Sequence, residues 1–159
     1  MNQINLQNIL FLNRCDEVAI EILEGEIIKI AKHLNIKPWK YTFHRFNEIS
    51  FIDPIKQIIR FKYNEELDFD RMVITLAHEL RHQYQFEAMN KDHKNKKLWI
   101  KEYNKLIKEK DNYKKIFNPL EIDAAAYAIN YVKKFYNAKI TISDTKLEQE
   151  INKYIKENF

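Results

Sequence analysis

Residues 72–85, MVITLAHELRHQYQ, decide the fold class because they join an amphipathic repeat to two histidines. Asp68 and Asp70 precede the repeat, where a carboxylate can accept hydrogen bonds from the first free amides of a helix. Residues 64–118 contain neither glycine nor proline. We therefore predict a helix here. Its apolar side chains recur at the spacing of one helix face, at Met72, Val73, Leu76, Leu80 and Tyr84.

The two histidines, His78 and His82, are four residues apart and would share one face of this helix, about one turn apart. Two neutral imidazoles held in this way can supply two of the three protein ligands of a catalytic zinc ion. Glu79 is rotated by about 100° from His78 around the helix axis. It would therefore stand beside the metal, as suits a general base that acts on a metal-bound water.

A catalytic zinc site needs a third protein ligand, and the sequence offers two candidates. His93 follows in a polar stretch, and Glu121 follows near the start of a later helix. Glu121 also has a purely structural interpretation. In it, Asn118 is the N-cap, Pro119 is the first helical residue, and Glu121 is the partner residue of a capping box.

Small side chains favour Glu121 as a ligand. Ala124, Ala125 and Ala128 would lie on the same side of the later helix as Glu121. They would let that helix approach the histidine helix closely enough for a carboxylate oxygen to reach the metal. On the residues alone, Glu121 and His93 both remain candidates.

The two motifs together resemble the minimal gluzincins, in particular ImmA/IrrE-like metallopeptidases and related small proteins of phages and mobile elements. The first motif is HExxH at residues 78–82, and the likeness covers roughly residues 39–132. The second signature is a glutamate followed by alanines and an aromatic residue, here Glu121, Ala124, Tyr127 and Ala128.

This resemblance implies a zinc-dependent peptidase that hydrolyses peptide bonds. By correspondence, one Zn²⁺ per chain would be held by His78, His82 and Glu121, with Glu79 as the general base. Larger gluzincins place an aspartate four residues after the ligand glutamate to orient a histidine. This chain has Ala125 there, so that contact has to come from elsewhere.

We predict an α+β fold, mostly helical, in which a small three-stranded sheet packs beside the HExxH helix, as in a minimal gluzincin-like zincin. Residues 1–159 would form one domain. We expect a turn at Asp53-Pro54 and a capping box that begins at Thr145. Besides the motif helix, the predicted helices are residues 16–34, 98–115, 119–136 and 145–157, and the predicted extended segments are residues 39–46, 49–52, 57–63 and 141–142.

The reaction would also need a hydrogen-bond donor for the developing oxyanion and a surface for the substrate. Tyr127, Tyr131, Arg81 and Gln85 are the candidates for oxyanion or substrate contacts. An edge strand beside the metal could pair with an extended peptide or protein substrate. The resemblance to proteases of mobile elements suggests a dedicated repressor-type protein as one such substrate.

The composition of the chain indicates the cellular compartment in which we expect the protein. The single cysteine, Cys15, cannot form an internal disulfide, so nothing indicates an oxidising environment. We find neither a secretory signal nor a run of about 20 apolar residues that could span a membrane. We therefore expect a cytoplasmic protein with no membrane partner.

The charge pattern leaves two other functions open. Residues 91–115 contain ten lysines and four acidic residues, whereas the whole chain has a net charge of only +4. This excess could bind nucleic acid, as in a nucleic-acid-associated, SprT-like protease, or it could be a solvated helix face. A third alternative is a non-catalytic zinc-binding regulatory or interaction protein.

Overall fold

The computed structural model describes residues 16–44, 49–63 and 68–159. Cys15 and the end of the first predicted strand lie outside these ranges. In chain order the elements are helix α1 (Asp16–Leu34), strands β1 (Lys40–His44), β2 (Phe51–Asp53) and β3 (Ile58–Lys62), and helices α2 (Phe69–Met89), α3 (Lys96–Leu106), α4 (Asn112–Lys115), α5 (Pro119–Tyr136) and α6 (Thr145–Asn158). The predicted α+β class with a small three-stranded sheet is confirmed.

Helix α2 forms where the amphipathic repeat predicts it. The Asp68 side chain caps its first turn by accepting a hydrogen bond from the Arg71 amide at 2.9 Å. The predicted apolar face is fully buried at four positions, whereas Tyr84 is only half-buried. Burial of each such aliphatic side chain contributes roughly 1.5–3 kcal/mol. The four are Met72, Val73, Leu76 and Leu80.

A tight turn joins β2 to β3, as the Asp53-Pro54 dipeptide predicts. The Asp53 carboxylate accepts hydrogen bonds from the amides of Ile55 and Lys56 at 3.0 and 2.9 Å. Gln57 completes the turn with a φ of 54°. The strand that enters this turn, β2, is shorter than predicted and begins at Phe51.

The sheet is mixed, with β3 in its centre. β3 pairs antiparallel with β2 and parallel with β1, so the strand order is β1-β3-β2. Ile59 and Phe61 on β3 are fully buried, while Arg60 between them is exposed. One face of the sheet therefore joins the core, and β2 is left at an edge.

Three apolar clusters hold the described elements together. The largest lies among α1, the sheet, α2 and α5, and includes Leu23, Phe61, Leu76 and Val132. The second joins α2, α3 and the start of α5 around Trp99. The third packs α6 against α5. None of the helices in the described part of the chain is both long and apolar enough to cross a membrane.

The prediction of a single helix over residues 98–115 is wrong. Two carboxylates accept hydrogen bonds from backbone amides after α3 and break the helix: Glu109 binds the amides of Lys110 and Asp111, and Asp111 caps α4. Trp99 is buried, whereas Leu98 and Ile107 are 50% and 60% exposed. A carboxylate that binds nearby amides competes with helix continuation.

The start of α6 also differs from its prediction. Asp144, one residue before Thr145, is the N-cap, and its side chain accepts a hydrogen bond from the Leu147 amide at 2.9 Å. The capping box at Thr145 is therefore wrong by one residue. Residues 141–142 form no strand with any described residue.

Asn118→Ala should lower the free energy of unfolding by about 1–2 kcal/mol, because Asn118 caps α5 and also binds a second element. Its Oδ1 accepts from the Leu120 amide at 2.9 Å, and its Nδ2 donates to the Glu102 carbonyl at 3.1 Å. Urea unfolding would measure the loss. Asn104→Ala is the control, because Asn104 is exposed in α3. Equal stability of the two variants would contradict the cap.

Candidate metal centre

Three side chains from two helices converge on one point. His78 and His82 extend from α2, one turn apart, and Glu121 extends from the first turn of α5. One ligand atom from each lies within 4.8 Å of the others, so the three could hold a metal ion. His82 is buried, whereas His78 and Glu121 each keep about a quarter of their side-chain surface exposed.

The spacing of the ligand atoms can be compared with a tetrahedral zinc site. The two Nε2 atoms of His78 and His82 are 3.1 Å apart. The Glu121 carboxylate oxygens lie 3.2 Å from His78 Nε2 and 3.4 Å from His82 Nε2. With ligand bonds of roughly 2.0–2.1 Å, the edge of a coordination tetrahedron is about 3.3 Å. Each of these separations is close to that edge length, with Oε2 of Glu121 next to His78 and its Oε1 next to His82.

The charges within the triad are strongly coupled. Burial alone would lower the pKa of His82, but the hydrogen bond and negative charge of Glu121 outweigh it and raise the pKa to about 9. Burial would raise the pKa of the Glu121 carboxyl, but hydrogen bonds from His78 and His82 hold that pKa far below its ordinary range. A bound cation would replace the proton of His82, because a metal ligand must be deprotonated.

Gln85 fixes the orientation of His82. Its side-chain amide nitrogen donates to the Leu120 carbonyl at 3.0 Å and to Asp123 at 2.7 Å. The amide oxygen of Gln85 is therefore the atom that faces His82 Nδ1, at 2.8 Å, and it accepts the Nδ1 proton. The Nε2 atom of His82 is left free to bind a metal, which is the usual arrangement of a ligating histidine.

Asp123 anchors this arrangement from α5. It is 1% exposed and receives two hydrogen bonds from the Arg81 guanidinium, at 2.8 and 2.9 Å. The Tyr154 hydroxyl of α6 donates to it at 3.0 Å. A buried carboxylate needs this degree of pairing to remain charged. The orienting contact that Ala125 cannot make is thus supplied by Gln85, which is held in place by Asp123.

Glu121 does not form the capping box with Asn118 that its position in sequence allowed. Asn118 is the N-cap, but its own amide donates to the Lys115 carbonyl at 2.9 Å and not to Glu121. The Glu121 carboxylate points to the histidines instead. Ala124 and Ala128 on the same helix are fully buried, consistent with the close approach that their size permits.

Glu79 lies beside the triad in a cavity of about 620 Å³. It is 7% exposed and makes no side-chain hydrogen bond with any other described residue. The cavity is also lined by the triad and by one edge strand, β2. Most of its remaining wall is aliphatic, from Ile49, Ile52, Ile74, Ala125 and Ile129.

His93 is not part of this group. Its Nε2 lies 3.2 Å from the Tyr84 hydroxyl, and its Nδ1 accepts a hydrogen bond from the Asn95 amide at 3.1 Å. Its ring is stacked on Trp99. Both ring nitrogens are therefore engaged in a separate cluster at the far end of α2.

The four candidates for oxyanion or substrate contacts do not line the triad cavity. Arg81 and Gln85 are bound to Asp123 behind the triad, and Tyr127 and Tyr131 line a different cavity. The sequence did not single out Asp123, because its position in α5 gives no sign that Arg81 lies opposite. It also did not single out three polar residues that line the triad cavity, namely Ser50, Lys62 and Thr75.

The chain matches no protein-family model, no curated protein and no solved structure in comparisons with known proteins. The resemblance to minimal gluzincins therefore rests on the two motifs alone.

The ligand assignment can be tested through metal affinity. His82→Ala and Glu121→Ala should each lower zinc affinity at least about 10-fold, because each removes one of three donors. His93→Ala is the matched control and should leave it unchanged. Competition against a chromophoric chelator would measure all three. A loss of zinc affinity in His93→Ala but not in Glu121→Ala would identify His93, and not Glu121, as the third ligand.

The orienting role of Gln85 yields a separate prediction. Gln85→Leu should weaken zinc binding about 10- to 100-fold, because His82 loses the acceptor that orients its ring. Gln83→Leu is the control on the same helix. Gln83 is equally buried, but its side chain binds the Trp39 amide and the Lys37 carbonyl and not a residue of the triad. The control should lose stability and keep its zinc affinity; equal zinc affinity in both variants would contradict the role of Gln85.

Proposed function

We propose that this chain is a zinc-dependent metallopeptidase with a minimal gluzincin-like fold. The observation that carries the proposal is the convergence of His78, His82 and Glu121 with Glu79 beside them. Two imidazoles and one carboxylate at these distances suit a catalytic zinc site, which uses three protein ligands and keeps one position open. Zinc bound there would supply Lewis acidity and lower the pKa of water from 15.7 towards about 7.

Glu79 would act as the general base. It follows a histidine of the triad directly in sequence, so the helix places it beside the triad, and it lines the same cavity. With no side-chain hydrogen bond to another described residue, this carboxylate is free to accept a proton from the attacking water. It would then deliver the proton to the leaving nitrogen of the peptide.

The walls of the cavity support a peptide substrate. β2 is an edge strand, and its residues Phe51 and Ile52 line the cavity beside the triad. An extended peptide could pair with this edge through main-chain hydrogen bonds. Ile74 and Ile129 form part of an aliphatic wall that suits an apolar substrate side chain. A dedicated repressor as the natural substrate stays a prediction.

The nucleic-acid alternative rests on the lysines of residues 91–115. Within α3, Lys97, Lys101 and Lys105 share one exposed side of the helix, opposite the buried Trp99. Lys105 also forms an ion pair with Glu102 at 2.7 Å. An exposed basic face opposite a buried aromatic residue is typical of a solvated amphipathic helix. We therefore favour the peptidase.

Glu79→Gln tests the mechanism. This change should reduce hydrolysis of a peptide library at least about 100-fold, because it removes the general base, and it should leave zinc stoichiometry near one per chain. Mass spectrometry of the library measures cleavage. Glu87→Gln is the control: Glu87 is on the same helix but binds Gln83 and Lys91, away from the cavity.

Two outcomes would contradict the proposal. Hydrolysis that persists in Glu79→Gln would show that Glu79 is not the general base. A wild-type chain that binds zinc, unfolds on chelation and cleaves no peptide of the library would instead support the non-catalytic zinc-binding alternative.

A further inference from the structure

A second cavity, of about 230 Å³, lies on the other side of the α2–α5 contact. Its lining residues come from α1, α2, α5 and the last residue of the chain, and none of them lines the triad cavity. The charged or titratable members are Arg81, Lys134 and His33. No carboxylate side chain is among the lining residues.

Arg81 has unused hydrogen-bonding capacity. A guanidinium has five N–H donors, and Arg81 uses two of them on Asp123. No other described residue accepts a hydrogen bond from it. Its guanidinium carbon lies 4.5–5.5 Å from the ring centroids of Tyr84, Tyr127 and Phe159, three residues that line this cavity. The remaining donors are thus placed beside the cavity by a side chain that is only 13% exposed.

Two cationic side chains, Arg81 and Lys134, line the cavity. Asp123 compensates Arg81 from behind, but no ion pair joins Lys134 to an acidic residue in the described chain. The pKa of His33 is lowered by burial and then by the charges of Lys134 and Arg81. His33 Nδ1 is 2.9 Å from the Tyr127 hydroxyl, so the imidazole is fixed at the cavity wall.

Aromatic rings make up most of the remaining wall. Tyr127 and Tyr131 have ring centroids 6.1 Å apart, and Phe135 packs against Tyr131 at 4.7 Å. Such rings suit a flat apolar body, and 230 Å³ accommodates about one ring with its substituent. A guanidinium with free N–H groups recognises a planar oxyanion through paired hydrogen bonds.

We propose that this second cavity binds a small aromatic carboxylate. Its carboxylate group would accept hydrogen bonds from Arg81 and pair with Lys134, and its ring would lie among Tyr127, Tyr131 and Phe135. The site is independent of the peptidase proposal, because it shares no lining residue with the triad cavity.

Titration of the full chain with benzoate, followed by amide shifts in NMR spectra, tests the site. We expect saturable shifts at His33, Asn130 and Lys134, all of which belong to the second cavity. Benzamide, the neutral analogue of the same shape, should bind at least about 10-fold more weakly, because it lacks the charge. Shifts confined to Thr75, His78 and Ala125 would place benzoate in the triad cavity and overturn the proposal.

Two neighbouring lysines provide matched variants. Lys134→Gln should weaken benzoate binding roughly 10-fold or more, because a charged partner is lost. Lys133→Gln, on the same helix, should bind as the parent does, because both lysines are exposed but only Lys134 lines the cavity. Equal affinities of the two variants, or of benzoate and benzamide, would overturn the proposal.

Discussion

The contact between α2 and α5 through Asp123 is the constraint on which the candidate site depends. This buried carboxylate receives hydrogen bonds from Arg81 and Gln85 of α2 and from Tyr154 of α6. Removal of any one partner would leave a buried charge short of a hydrogen bond, at a cost of roughly 1–3 kcal/mol. The two helices are thereby held in one register. That register brings Glu121 to the histidines.

The same network separates two environments on α2. On one side, the triad and Glu79 face a largely aliphatic cavity next to an edge strand. On the other, Arg81 faces aromatic rings and Lys134. Asp123 lies between them and is bonded to Arg81 on one side and to Gln85, which binds His82, on the other. A rigid, fully bonded polar group suits this place, because ligand atoms must be held within a few tenths of an ångström.

Local signals predicted much of the fold. The amphipathic repeat and Asp68 determined α2, and Asn118 with Pro119 determined the start of α5. Prediction failed where side chains act on nearby backbone amides. Glu109 and Asp111 end one helix and start another, and Asp144 takes the cap that Thr145 was expected to provide. Several neighbouring residues can cap a helix, and spacing alone does not rank them.

The sequence alone places His78 and His82 on one helix face, because four residues make about one turn. It also left two candidates, Glu121 and His93, for the third ligand. The packing of α5 on α2 places Glu121, and not His93, beside the two histidines. The contact between Asp123 and Gln85 likewise depends on the packing of the two helices. Their bond joins residues 38 positions apart, and no periodicity within either helix encodes a contact between helices.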